Sequence, residues 1–213
     1  MGGEIFEAAQ RLRGFEKLMS DFFRNPELVD YLFSQLVSIA AQSVSILARA
    51  GVDIICLDDD VGEPSRMMIG RDLWRRFLKN PLAQIISTAR PANPAVKILY
   101  HSDGYIEPII QDLIEIGVDV LNPLQPAAMD LEKLSRRYGE HLSFWGSIDI
   151  QHTLPFGRPE EVVAEVRQRV RTLGRSGGLI LGPTHNVQLD TPLENFWAMV
   201  NAILRTTYGS PSK

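Results

Sequence analysis

Apolar residues recur at helical spacing through the first fifty positions, then contract after Gly51 into short runs separated by longer amphipathic stretches. Between Glu4 and Phe23, the residues Phe15, Leu18, Met19, Phe22 and Phe23 fall on or near one stripe, which predicts a helix. Asn25-Pro26-Glu27 predicts the start of a second helix: Asn caps the free amides, Pro takes the first helical position, and Glu suits the positive end. That helix is expected to reach Ala50 and stop at Gly51. Its stretch from Leu32 to Ala50 is interrupted by Ser34, Gln35, Ser38, Gln42, Ser43, Ser45 and Arg49, so it predicts a buried or half-buried helix rather than a membrane span.

From Gly51 the pattern alternates. Strands are predicted at 51–57, 96–100, 118–121, 142–145 and 177–181, and helices at 71–90, 106–116, 130–138 and 159–173. Thr191-Pro192-Leu193-Glu194 reads as a capping box for a last helix ending near Thr206. One junction repeats: Ala50-Gly51-Val52-Asp53-Ile54-Ile55 against Ile116-Gly117-Val118-Asp119-Val120-Leu121, with a weaker copy beginning at Ser176. Five strand–helix alternations call for a parallel sheet. Repetition of the unit favours a barrel over an open dinucleotide-binding sheet, whose glycine fingerprint is absent. The expected division is a helical segment over 1–50, five βα units over 51–207, and a frayed tail over 208–213.

Composition narrows the classes. The 213 residues carry 22 Lys+Arg against 26 Asp+Glu, a formal charge of −4, so the basic footprint of a nucleic-acid binder is missing. With 45% hydrophobic and 23% charged residues the chain is an ordinary globular one. The single cysteine, Cys56, excludes an internal disulfide and any Cys-only metal site. The N-terminus has neither a basic start nor an apolar run, and a cytoplasmic location is the default expectation. The length falls short of the roughly 250 residues of a complete (βα)8 barrel.

Polar residues gather after each predicted strand: Asp58-Asp59-Asp60, His101 to Gly104, Asn122, Gly146 to Asp149, and His185 with Asn186. In βα architectures ligands bind at that edge. The same residue types also serve as turns and caps. His101, Asp103 and His185 together suit a divalent metal, or a metal-free acid/base set. Three consecutive carboxylates cannot all be buried and charged, so at most two of Asp58 to Asp60 face a crevice. Arg66, Arg71, Arg75 and Arg76 downstream suit offsetting that acidity or binding carboxylates by bidentate hydrogen bonds, with surface helix charge the role expected of most of them. Trp74, Trp145 and Trp197 read as packing residues.

The stretches Tyr100 to Ile106 (YHSDGYI), Gly117 to Pro126 (GVDVLNPLQP), Phe144 to Asp149 (FWGSID), Leu154 to Val162 (LPFGRPEEV) and Gly182 to Asn195 (GPTHNVQLDTPLEN) resemble the uroporphyrinogen decarboxylase superfamily, over about Asp21 to Arg205. The resemblance implies a TIM-type α/β fold, here a partial (βα)8 barrel with about five parallel strands and N-terminal helices. The family's arginine-rich first strand and its essential aspartate would lie upstream of the matched region. The expectation is therefore a fragment, or a short protein that completes its sheet by homo-oligomerising or with a missing N-terminal partner segment.

Three functions follow from the resemblance. The first is a carboxy-lyase acting without a cofactor on a tetrapyrrole or related anionic small molecule. Its catalytic candidates are Asp58, Asp59 and His185, and its substrate-binding candidates are His101, Asp103, Asn122, Ser147, Asp149 and Asn186. The second is a methyltransferase or O-demethylase that uses zinc and a corrinoid partner. Here His101 and Asp103 fall on the family's His-x-Cys position, with Asp in place of the thiolate, and His185 completes the metal set. The third is a non-catalytic truncated barrel that binds a ligand or partner chain. None involves nucleic acid or a membrane.

Overall fold

A computed structural model describes residues 3–175 and 177–206. The chain divides into two compact units, Met1–Val120 and Leu121–Lys213. The helical first fifty residues thus share a unit with the first two strands, and the boundary falls inside the third. The expected tail over 208–213 and Ser176 of the third junction repeat lie outside the described residues. The strands follow the order β1-β2-β3-β4-β5, as sequential βα units dictate.

The first unit opens with α1 (Phe6–Arg13), α2 (Phe15–Arg24) and α3 (Pro26–Arg49). The single helix expected over 4–23 is two. Gly14 has φ 82°, a conformation only glycine takes readily, and its N–H closes α1 on the Gln10 carbonyl. Turning there lets Phe22 meet three elements at once. Its ring stands 6.3 Å from Phe6, 6.1 Å from Phe33 and 5.0 Å from Phe77. Asn25 precedes α3 as expected, but its side chain does not cap it. The Asn25 amide donates instead to Asp21, which also accepts from Arg13 at 2.6 Å. In α3 the buried residues are Val29, Phe33, Val37, Ala40, Val44 and Ala48, one helical stripe packed on α2 and α5. By length and composition alone this 24-residue helix could cross a membrane, a test that core helices also pass.

β1 (Ile54–Asp58) pairs in parallel with β2 (Lys97–His101), in a register that sets Asp58 opposite His101. Between them runs a helix in three parts, α4 (Arg71–Trp74), a π turn (Arg75–Lys79) and α5 (Asn80–Ser87). After β2, a 3-10 turn (Glu107–Ile109) leads into α6 (Ile110–Glu115). The short β3 (Val120–Asn122) is anchored through Asp119, whose N–H reaches the Ile98 carbonyl and whose carboxylate accepts the Ile98 N–H.

The second unit holds the end of β3, then α7 (Leu131–Tyr138), β4 (Ser143–Ile148), α8 (Thr153–Phe156), α9 (Pro159–Leu173), β5 (Leu179–Pro183) and α10 (Leu193–Arg205). β4 and β5 are parallel. Asp130 caps α7 by accepting from the Glu132 and Lys133 amides. β4 runs three residues beyond its expected end, taking in Gly146, Ser147 and Ile148. Its core comprises Ile148, Leu154, Val162, Val166 and Met199. The Thr191 capping box does not form: Pro192 stands at the N-cap, and the Thr191 hydroxyl is buried without a partner among the described residues. Asn195 ties α10 to α8 by donating to the Leu154 and Gly157 carbonyls.

Candidate functional site: an Asp-Asp-His cluster at the strand ends

The loops after β1 and β2 are laced together. The Asp59 N–H donates to the His101 carbonyl, the Tyr105 N–H to the Glu63 carbonyl, and the Asp103 N–H to Asp60 Oδ1 at 2.6 Å. The Ser102 hydroxyl, fully buried, accepts the Val61 N–H at 3.1 Å. Two glycines permit the approach. A Cβ on Gly62 would collide with the Asp103 carbonyl, and one on Gly104, where φ is 79°, would fall 2.6 Å from the Glu63 carbonyl oxygen. Gly62 and Gly104 thus keep the two loops in register.

The lacing brings Asp58, Asp60 and His101 together. One ligand atom from each lies within 4.8 Å of the others, and all three side chains are half-buried. Asp58 and Asp60 alternate along the strand end and so point the same way. Among the described residues this is the one cluster of metal-competent groups. The metal set expected from the sequence joined His101 to Asp103 and His185. In the structure Asp58 and Asp60 gather at His101, while Asp103 meets Asp60 through its backbone. His185 and Asn186 belong to the second unit, exposed after β5.

The cluster is strongly acidic. Burial raises the Asp58 carboxyl above the usual range; the Asp60 charge adds to this and His101 opposes it. Burial likewise raises Glu7, helped by the charges of Asp60 and Asp58. Glu4 is pushed up to about 7 by burial, although it accepts the Asp58 N–H. Asp59, the middle aspartate, faces away. Its oxygens accept the Phe6 N–H at 2.8 Å and the Glu7 N–H at 2.9 Å, capping α1, and burial pushes its carboxyl up to about 7. Cys56, two residues before Asp58, has its thiol pushed up to about 11 by burial and then by Asp58, so it offers little thiolate at neutral pH.

The remaining candidates sit in the second unit. Asn122 donates to the Trp145 carbonyl at 3.2 Å. Ser147 lies within β4, fully buried, at φ 89°, with its hydroxyl unpartnered among the described residues. Asp149 follows β4 and accepts the Gln151 and His152 amides. The metal set expected from the sequence held neither Asp58 nor Asp60, and Asp60 was in none of the candidate sets; the signal was its i, i+2 spacing from Asp58 at the end of a strand.

With this geometry in view, the sequence profile of the uroporphyrinogen decarboxylase (URO-D) family matches residues 5–206. The chain is 24% identical over 191 residues to the uroporphyrinogen decarboxylase of Methylococcus capsulatus, covering 90% of this chain and 52% of that protein. It is 21% identical over 187 residues to that of Coxiella burnetii, covering 85% and 48%. The chain spans about half the length of these curated relatives. A methyltransferase from Methanosarcina mazei superposes with a TM-score of 0.76 at 23% identity, over 95% of this chain and 56% of that one. A dihydropteroate synthase from Anaplasma phagocytophilum gives 0.51 at 21% identity, over 80% and 67%. At these identities the two structures establish the fold, the α/β arrangement of TIM-barrel-type enzymes.

Proposed function

Given that this chain belongs to the uroporphyrinogen decarboxylase family, we propose that it carries the metal-binding part of a methyl-transferring enzyme, with Asp58, Asp60 and His101 as the ligands. The carrying observation is the approach of two carboxylates and an imidazole to within 4.8 Å at the carboxyl ends of β1 and β2. Oxygen and imidazole nitrogen donors of this kind suit Zn2+ and its divalent neighbours. Without a thiolate, the set favours polarising an oxygen or nitrogen of the methyl donor over activating a thiol. The bound ion would supply a Lewis acid that makes the methylated heteroatom a better leaving group. The substrate class is a small methoxylated or methylated amine compound, and the acceptor is the corrinoid of a partner protein. Asp59 and Glu4 support this site from behind by fixing α1 against the end of β1.

A second reading, cofactor-free decarboxylation, is favoured by the names of the curated relatives. On it, Asp58 accepts a pyrrole N–H. The acid at the site, Asp58 and Asp60 with Glu7 beside them, favours a cation there over a polycarboxylate.

Metal analysis separates the readings. Protein loaded with Zn2+ and desalted is expected to retain about one equivalent, as a metal bound by a specific ligand set does. Asp60→Asn and His101→Gln should lose it. An unloadable wild-type protein, or one that releases CO2 from uroporphyrinogen after chelation, would favour decarboxylation.

A further inference from the structure

Helix α3 carries two apolar stripes. Val29, Phe33, Val37, Ala40, Val44 and Ala48 are buried in the first unit. A second stripe runs through Leu28, Leu32, Gln35, Ile39, Gln42 and Ile46, in alternating steps of four and three. That spacing is the seam along which one helix packs on another. The described residues leave it open. Leu28, Ile39 and Ile46 are 43%, 65% and 59% exposed, and only 28% of the helix's most apolar stretch is buried. Single exposed apolar residues are ordinary, but a line of them along one face marks an interaction site. The stripe begins at a groove of about 200 Å3 where α1, α2 and α3 meet, bordered by Leu12, Leu18, Leu28, Tyr31 and Leu32.

The charges of α3 point to what covers it. No charged residue occurs from Tyr31 to Ala48, while Glu27 stands near the start of the helix and Arg49 at its end, both exposed. A helix that lies on a lipid surface carries Lys and Arg along its polar flanks. The flanks of α3 carry Ser and Gln. At about 100° per residue, Glu27 and Arg49 fall on the same flank of the seam. A two-fold axis across the seam brings that flank of one helix against the same flank of the other, running the opposite way. An acid at one end and a base at the other then meet twice. Parallel pairing would set Glu27 on Glu27 and Arg49 on Arg49.

We propose that α3 docks antiparallel on α3 of a second copy of this chain, forming a two-fold dimer. Ile39 lies at the axis. Leu32 is then level with the partner's Ile46, Gln35 with the partner's Gln42, and Glu27 lies close to the partner's Arg49. The register sets like beside like and opposite charges together. It also places the partner's Ile46 at the groove beside Leu28 and Leu32. The interface rests on α3 and the groove at its start, and does not depend on the metal reading.

Sedimentation equilibrium of the whole chain over a concentration series tests this. A monomer–dimer equilibrium is expected. Ile39→Glu, which sets two carboxylates at the axis, should raise the dissociation constant about thirtyfold. Arg49→Glu should raise it about fivefold, and adding Glu27→Arg should restore the wild-type value. All three positions are exposed, so the variants keep the fold, which far-UV circular dichroism checks. A chain that stays monomeric, a dimer that Ile39→Glu leaves unchanged, or a double charge swap no tighter than Arg49→Glu alone would overturn the proposal. So would a monomer that sediments with phosphatidylcholine–phosphatidylglycerol vesicles, which would assign the stripe to a lipid surface.

Discussion

Of the three consecutive aspartates, Asp59 is the one with both oxygens engaged by backbone amides, those of Phe6 and Glu7. Its neighbours in sequence point to the opposite side and meet His101. The alternation is the ordinary pleat of an extended chain, and it divides one acidic run into a structural member and two candidate ligands. The sequence announced the run and the limit on how many of its members face a crevice. It could not say which side held α1, because that depends on a contact between residues more than fifty positions apart. Asp59→Ala should leave two buried amides unpaired and lower the unfolding free energy by about 1–3 kcal/mol. Urea denaturation followed by far-UV circular dichroism measures it. Asp60→Asn, on the open side, should change stability by less than about 0.5 kcal/mol. A reversed order would show that Asp59 is not the capping residue.

Among the elements, α7 and α9 were legible because both begin close to where the sequence pattern put them, α7 behind its Asp130 cap and α9 at Pro159. The break at Gly14 was hidden inside an unbroken helical period. β4 was under-read because Gly146 and Ser147 look like turn residues, yet they continue the strand. In the segment after β1 the sequence left two roles open for its arginines, surface charge or carboxylate binding, and could not name the acid: Arg71 and Arg75, together with Lys79, converge on Asp112 of α6 at 3.5, 2.9 and 2.7 Å. Asp112 is fully buried, and the π turn at 75–79 forms part of the face that meets it. Burial opposes the charge of Asp112, but its bonds to Arg75 and Lys79 prevail and hold the carboxyl below the usual range. A depressed carboxyl contributes stability that is present above its unfolded pKa, near 4, and is lost as pH falls through the folded value. Asp112→Asn should therefore destabilise at pH 7 and flatten the loss of stability below pH 4. The cost at pH 7 should be about 2–3 kcal/mol, under the range for a fully buried pair, because the three cations are partly exposed. Urea midpoints of both proteins at pH 3 and pH 7 test it: an equal gap at both pH values would remove the ion cluster from the account.

At the scale of the whole molecule, the parallel strands carry apolar side chains that the described residues leave open. Ile54 on β1, and Trp145 and Ile180 paired in register on β4 and β5, are each 38–39% exposed. The alternating elements and the strand-end position of the polar residues were legible because both follow from local pattern. The grouping of Asp58, Asp60 and His101 was not, because it depends on the lacing of two loops by Gly62, Gly104 and Ser102. That lacing also gives the site a thermodynamic signature. Asp58 ends β1, Asp60 follows two residues on, and His101 ends β2, so an ion held by all three links neighbouring strands of the first unit and binds only when they are paired. A ligand confined to the folded state stabilises it by about 2.7 kcal/mol at one hundred times its dissociation constant. Zn2+ or Co2+ should then raise the melting temperature by several degrees, and a chelator should reverse the rise. Mg2+ should have little effect, since it makes poor use of an imidazole ligand. Amide exchange should slow at Ile55, Leu57 and Leu99, and far less on β4 and β5. The same shift in His101→Gln, or protection spread evenly over both units, would place the ion elsewhere and remove the Asp58–Asp60–His101 cluster as its site.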